Sequence, residues 1–414
     1  MSLTTRVLVG LISGLAIGAA IAAAELSELL RIVPIVESIG TLWLSALQMT
    51  VIPLVVSLLI TGIASTTDTA STGRMGARAL MLFAFFLSVA AIFAAILTPA
   101  LLAWWPIEPT TAAALRAGAG AASTAVPEVP GFSSWITNII PTNPFRAAAE
   151  GAMLPLVVFA LFFGFAATRI PMLLREQILG FFQAVAETML VIVKWVLWAA
   201  PVGVFALALG VGSRAGIGAA GALVHYIVLT SAISVVITLL LYPIAVVGGR
   251  ISLGRFARGA APAQVVAFST QSSLASLPAM IEGAQRHLGL PPRITGVTLP
   301  LAVSVFRITS PPVNLTTALF VASLYHVALT PAQIAAGVAV AVVTSIGIAG
   351  LPGQTNFFAT VLPISLTLGV PVQILPLLLA IDVIPDIFKT VGNVTADLTV
   401  TSIVARDAGV QSVT

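Results

Sequence analysis

From Ile217 to Gly249 the chain runs without a single Asp, Glu, Lys or Arg. A run of this kind is long enough to cross the hydrocarbon core of a bilayer, which takes about 20 apolar residues. In hydrocarbon, a single spanning segment must satisfy its own backbone polar groups, and that condition selects helices. The same character recurs near residues 5–24, 40–65, 78–104, 151–168 and 180–212, and Val297–Leu324 carries Arg307 as its single charge. Only 8% of the 414 residues are charged and 59% are hydrophobic, whereas soluble chains carry about 25% charged residues to cover a wet surface. These features predict an all-α integral membrane protein that crosses the bilayer several times.

The net charge of +4 does not point to nucleic acid, because no basic run occurs. Most Lys and Arg residues lie in short connections between apolar stretches, the pattern that orients a membrane protein. With both termini cytoplasmic, Arg6, Arg74, Arg78, Arg169, Arg175, Arg250, Arg255, Arg258, Arg286, Arg293 and Arg406 fall inside. Arg31, Arg116, Arg146 and Arg214 fall outside, and Lys194, Arg307 and Lys389 lie within spans. That orientation matches a multi-pass protein of a bacterial inner membrane. Cysteine is absent and the three histidines, His225, His287 and His326, show no ligand spacing, so neither a disulfide framework nor a metal enzyme is expected. No cofactor is expected. The amino-terminal apolar run is too long for a signal-peptide core and reads as a first spanning helix.

Two later segments are interrupted. FSTQSSLASLPAM (268–280) places five Ser or Thr residues at membrane depth, and TSIGIAGLPGQTNFF (344–358) contains three Gly and one Pro. Irregular backbone at that depth survives only where protein or a water-filled cavity satisfies it, and paired interrupted segments mark the binding site of a carrier. By contrast, residues 105–136 shift to Pro, Thr, Ala, Gly and Glu and read as a flexible surface loop.

The last apolar segment contains Asp382, Asp386, Lys389, Asn393 and Asp397. At about 100° per residue all five fall within roughly 80° of one helix face. Facing lipid, each mid-membrane charge would cost at least about 2.5 kcal/mol, so the stripe must face protein or water. A structural ion-pair ladder and a substrate pathway both fit this stripe. Arg307 is a second buried cation, and Thr309, Ser310, Pro311 and Pro312 predict that its helix breaks beside it. With every group charged, Arg307 and Lys389 against Asp382, Asp386 and Asp397 leave one net negative charge.

These pieces resemble the glutamate transporter family, the dicarboxylate/amino acid:cation symporters. The resemblance is carried by STQSSLASLP, SIGIAGLPG and DVIPDIFKTVGNVTADLT, with QMTVIPLVVSLLITGIAS, PTNPF and LPLVVFALFFG upstream, and covers essentially the whole chain. It implies eight transmembrane helices plus two re-entrant helical hairpins in an elevator-type fold, assembled as a homotrimer. Residues 1–76 would form scaffold helices 1 and 2, 77–104 transport-domain helix 3, and 137–212 scaffold helices 4 and 5. Residues 213–414 would form the rest of the transport domain, namely helix 6, hairpin 1, helix 7, hairpin 2 and helix 8. The resemblance assigns Asp386 to the substrate's α-amino group, Asn393 and Thr390 to its main chain, and Ser272 and Ser273 to its α-carboxylate. Lys389 stands where acidic-amino-acid carriers place an arginine for the side-chain carboxylate. Gly347, Gly350, Pro352 and Gly353 match the gate at the tip of hairpin 2.

The departures lie at the cation sites. Phe306, Arg307, Ile308, Thr309 and Ser310 stand where the family carries Asn-Met-Asp-Gly-Thr, and helix 3 offers Phe83, Phe86 and Leu87 in place of hydroxyls. Sodium coupling is therefore expected to be lost or reduced, with protons as the alternative coupling ion. Arg307, Asp382 and Asp397 are the expected cation-surrogate or coupling residues. The leading expectation is a secondary transporter of aspartate or glutamate. The alternative is a neutral amino acid or C4-dicarboxylate carrier of the same family that retains one sodium site at Asp397. Asp386 weighs against simple dicarboxylates, which bring no ammonium. A channel of the same fold and an intramembrane enzyme are the other classes, and no nucleophile or activated water is identifiable for the latter.

Overall fold

The computed structural model describes residues 3–71, 74–118, 139–347 and 353–407. Every regular element among the described residues is a helix. Among the described residues, six stretches are long and apolar enough to cross a membrane: Thr5–Ala23, Glu28–Gly62, Ala77–Trp104, Met172–Trp198, Ala219–Gly249 and Pro292–Leu324. Four shorter apolar helices, Met153–Ala167, Ala200–Arg214, Pro331–Ile346 and Asn356–Leu368, accompany them. The chain is thus a multi-pass membrane protein.

The first helix, Leu3–Ala23, lies along Ala200–Ala215. Glycines at helical spacing make that approach close: a Cβ at Gly10 would stand 2.5 Å from the Pro201 carbonyl oxygen, and one at Gly14 2.6 Å from that of Phe205. Small residues at such seams let helix backbones meet, which is how helices associate where lipid removes the hydrophobic drive. The long helix Ser27–Ser71 packs against Met153–Ala167, Met172–Trp198 and Ala200–Ala215. It is pinned by the Trp43 indole donating to the Val196 carbonyl at 2.8 Å and by the two-pronged Arg214–Glu37 pair at 2.6 and 2.8 Å.

The segment expected as a loop over 105–136 is not irregular throughout. Pro109–Gly118 is a helix, because its alanine-rich PTTAAALRAG carries good helix formers. The Glu108 side chain accepts from the Thr110 hydroxyl and, at 2.9 Å, from the Thr111 amide, closing the first turn. Those donors, Thr110 first, hold the Glu108 carboxyl below the usual carboxylate range. Residues 119–136 lie outside the described residues.

The carboxy-terminal half is built from broken and paired helices around one central element. Leu253–Thr270 folds back on Ser273–Glu282 as a first helical hairpin. Pro292–Val305 and Ser310–Leu324 form a helix interrupted at Phe306–Thr309. The break follows from Pro311 and Pro312, which have no N–H to offer the carbonyls one turn back. Pro331–Gly347 and Gly353–Leu368 form a second hairpin. The last segment is two helices, Leu375–Ile381 and Val383–Asp407, where the sequence reads as one. Pro385 is the physical reason, since it leaves the Ile381 carbonyl without its helical donor.

Every residue from Gly392 to Ala405 in that last helix is buried. Its hydroxyls are satisfied locally: Thr395, Thr399, Thr401 and Ser402 each donate to the carbonyl four residues back at 2.6–2.8 Å. Back-bonding of this kind lets a polar helix lie inside protein without further partners. The helix packs against Ala219–Gly249, the first hairpin, Pro292–Val305 and Arg74–Trp104.

Candidate functional site

The polar stripe of the last segment comes together as a connected charge cluster. The Lys389 ammonium lies 2.5 Å from Asp382 Oδ2 and 3.3 Å from Asp386 Oδ1. Asp386 lies one turn before Lys389 on the same helix face, and Asp382 stands at the interruption just before that helix, within reach of the same long side chain. Asp382 and Lys389 are buried and Asp386 retains partial exposure. The cluster is therefore shielded on one side and open at Asp386.

A second helix, Ala219–Gly249, completes the buried side of this cluster. The Tyr226 hydroxyl donates to Asp382 Oδ1 at 3.2 Å and lies 3.3 Å from the Thr317 hydroxyl. Sequence reasoning passed over Tyr226. The available signal was rarity, since the chain has three tyrosines and two of them, Tyr226 and Tyr242, stand inside one charge-free span. A buried phenol there needs a polar partner.

One turn past Lys389, the Asn393 side-chain oxygen accepts from the Thr309 amide at 3.1 Å and the Thr309 hydroxyl at 2.9 Å. That hydroxyl also lies 3.0 Å from the Lys389 carbonyl. Asn393 is thus used to bind the unwound backbone of the broken helix. Gly392 makes room for this contact: a Cβ there would stand 2.5 Å from Thr309 Cγ2 and 2.8 Å from Thr238 Oγ1. Asn314 continues the seam, its amide nitrogen 3.0 Å from the Ser310 hydroxyl and 2.8 Å from the Thr360 hydroxyl on the second hairpin.

Arg307, in the break itself, lies within electrostatic reach of both Asp386 and Asp397. Asp397 is completely buried, and neither of its carboxylate oxygens has a hydrogen-bond partner among the described residues. Phe306 stacks on Phe83 of the third helix, with centroids 4.6 Å apart and planes 11° from parallel. Leu87 is fully buried beside them, and Phe86 packs against the same core. No group of three or more His, Asp or Glu among the described residues is placed to hold a metal ion.

The remaining expected site residues are peripheral to this cluster. Thr390 donates its hydroxyl to the Asp386 carbonyl at 2.8 Å, within its own helix. Ser272 caps the second arm of the first hairpin by accepting from the Ala275 amide at 3.2 Å, and Ser273 begins that arm. Neither serine shares a hydrogen bond with the last helix among the described residues, although the arm packs on that helix. Gly347 and Gly353 end the two arms of the second hairpin. Gly350 and Pro352 lie outside the described residues.

The cluster offers a partly open carboxylate beside a buried ammonium, next to the buried break of a helix whose Thr309 is held by Asn393. The chain matches the model of the sodium:dicarboxylate symporter family over residues 3–407. It is 27% identical over 407 residues to a proton/glutamate-aspartate symporter of Escherichia coli (strain K12), covering 98% of this chain and 92% of the relative. It is 28% identical over 414 residues to a proton/sodium-glutamate symport protein of Bacillus caldotenax, covering 95% and 91%. It is 31% identical over 393 residues to the human neutral amino acid transporter B(0), covering 86% and 71%. The chain belongs to the sodium:dicarboxylate symporter family and is an amino-acid transporter, not an enzyme.

Proposed function

We propose that this transporter carries acidic amino acids, aspartate or glutamate, as a secondary active carrier whose sodium coupling is lost or reduced and whose coupling ion is the proton. The observation that carries this reading is the partly exposed Asp386 and the buried Lys389 on one helix face, 3.3 Å apart. A carboxylate beside an ammonium can take the substrate's α-amino group and its side-chain carboxylate together, through charge-assisted contacts. Relatives whose names specify glutamate and aspartate support the same substrate class. In this reading Ser272, Ser273, Thr390 and Asn393 hold the substrate main chain, and the second hairpin around Gly347, Gly350, Pro352 and Gly353 is the gate. The hairpins are re-entrant, the protein is a homotrimer in a bacterial inner membrane with both termini cytoplasmic, and transport is an elevator movement of the carboxy-terminal half.

One observation favours a second reading, neutral amino acids. Lys389 is already held by Asp382 at 2.5 Å as well as by Asp386, and as a lysine it lacks the two-pronged fork that suits a carboxylate. A panel of aspartate, glutamate, serine and alanine binding to the purified protein and to Lys389→Ala separates the two. The acidic reading expects Lys389→Ala to lose aspartate by at least about tenfold, the worth of one charge-assisted contact, and to leave serine nearly unchanged. Equal losses across the panel would make Lys389 a structural partner of the two aspartates and reject its role as the carboxylate reader.

A further inference from the structure

We infer that Arg307 is this chain's fixed replacement for a transported sodium ion: its guanidinium balances Asp397 and Asp386 at the break of the interrupted helix, so substrate binding needs no sodium. The inference rests on reading this region as a carrier's substrate site, and it deepens that reading by naming the residue that removes the ion.

Carriers built on broken helices hold coupling cations on unwound backbone carbonyls near the bilayer midplane, and hard cations take oxygen ligands. The apolar side chains at this break add no oxygen to such a set. Phe306 and Ile308 bring buried hydrocarbon. Phe83, stacked on Phe306, and Leu87 close the facing side with more of it. The Thr309 hydroxyl is engaged with Asn393 at 2.9 Å. Asp397 offers carboxylate oxygens near it, fully buried and without a hydrogen-bond partner among the described residues.

A buried carboxylate without compensation is among the most costly groups a protein can hold. The cation within electrostatic reach of Asp397 is Arg307, which also reaches Asp386 electrostatically. Lys389 is committed to the other side of the cluster, 2.5 Å from Asp382 and 3.3 Å from Asp386. Two tethered cations therefore serve three aspartates, with Asp386 shared between them. A sodium ion entering beside Asp397 would meet the guanidinium as a like charge, and like charges juxtaposed at close range repel strongly. A mobile ion is released on the far side and so transmits its gradient, whereas a tethered guanidinium returns with the protein and transmits none.

The test is aspartate binding to the purified full-length protein, to Arg307→Gln, to Arg307→Lys and to Arg307→Gln/Asp397→Asn. Each is titrated with sodium chloride against choline chloride at fixed ionic strength. The wild type and Arg307→Lys are each expected to show an affinity that does not change with sodium concentration. Arg307→Gln is expected to lose at least about tenfold in affinity without sodium, the worth of one charge-assisted interaction, and to recover as sodium is added. The double variant, which removes both charges, is expected to recover affinity with no sodium present. A steep rise of wild-type affinity with sodium, a sodium requirement in Arg307→Lys, or a double variant no better than Arg307→Gln would each overturn the inference. If Arg307→Gln does not fold, the wild-type and Arg307→Lys titrations still decide it. A wild type that binds no amino acid in either salt overturns the substrate-site reading itself, whereas a wild type that binds aspartate with steep sodium dependence overturns only the role of Arg307.

Discussion

Replacing Asp386 with Asn removes one negative charge while keeping the side chain's shape, and the structure fixes what else changes. Lys389 loses its 3.3 Å contact but keeps the 2.5 Å contact with Asp382, so no buried ammonium is stranded and the protein should fold. The Thr390 hydroxyl bonds the backbone carbonyl of residue 386, so the helix there is untouched. What disappears is the anionic partner for a substrate ammonium, worth about 1.5–3 kcal/mol as a charge-assisted hydrogen bond. Asp386 is 25% exposed as a side chain, and solvent screening weakens exposed charge pairs, so the lower half of that range applies. The expected loss is about 10–40-fold in Kd for aspartate, at 1.4 kcal/mol per factor of ten. Calorimetric titration of the detergent-purified protein measures it, with succinate as the control ligand because it has two carboxylates and no ammonium. An unchanged Kd for aspartate, or an equal loss for succinate, would refute the assignment of Asp386 to the ammonium.

Two further outcomes follow from contacts outside the stripe. Tyr226→Phe deletes the phenol that donates to Asp382 at 3.2 Å and leaves Lys389 as that carboxylate's remaining side-chain partner. The lost bond, worth about 1 kcal/mol, should tighten the hold of Asp382 on Lys389 and weaken aspartate roughly fivefold while sparing serine; parallel isotherms check this, and equal changes would contradict it. Gly392→Ala forces a methyl group against Thr309 Cγ2, and overpacking of that kind costs about 1–3 kcal/mol. Melting of the purified variant should fall, and Thr309→Ser in the same chain, which removes that methyl and keeps the hydroxyl, should restore part of it.

The parts of the site legible in the sequence were those with a local rule behind them. The acidic stripe of the last helix could be read because helical periodicity and the cost of charge in lipid act along a single segment. The break at Phe306–Thr309 could be read because two consecutive prolines remove donors at known positions. The interruption at Asp382 had the same kind of signal in Pro385, yet periodicity alone treats the stripe as one helix. Contacts between distant segments carried no comparable mark. Tyr226 meets Asp382 across 156 residues of sequence, and nothing in its apolar run names that partner. The grip of Asn393 on Thr309 depends on two helices meeting at Gly392, which only packing decides. Lys389 illustrates the limit best: its charge was legible, but its rotamer, turned toward Asp382 more closely than toward Asp386, was not. In the 105–136 stretch, loop-like Pro and Gly obscured a short alanine-rich helix whose first turn Glu108 closes.

The central claim, a carrier for acidic amino acids, is tested most directly by counterflow in proteoliposomes. Vesicles loaded with unlabelled aspartate, without any ion gradient, are diluted into a trace of radiolabelled aspartate. The account predicts transient accumulation of label above equilibrium, produced equally well by internal glutamate and abolished by Asp386→Asn. Accumulation with serine or alanine but not with aspartate, or label that merely equilibrates as through a channel, would contradict it.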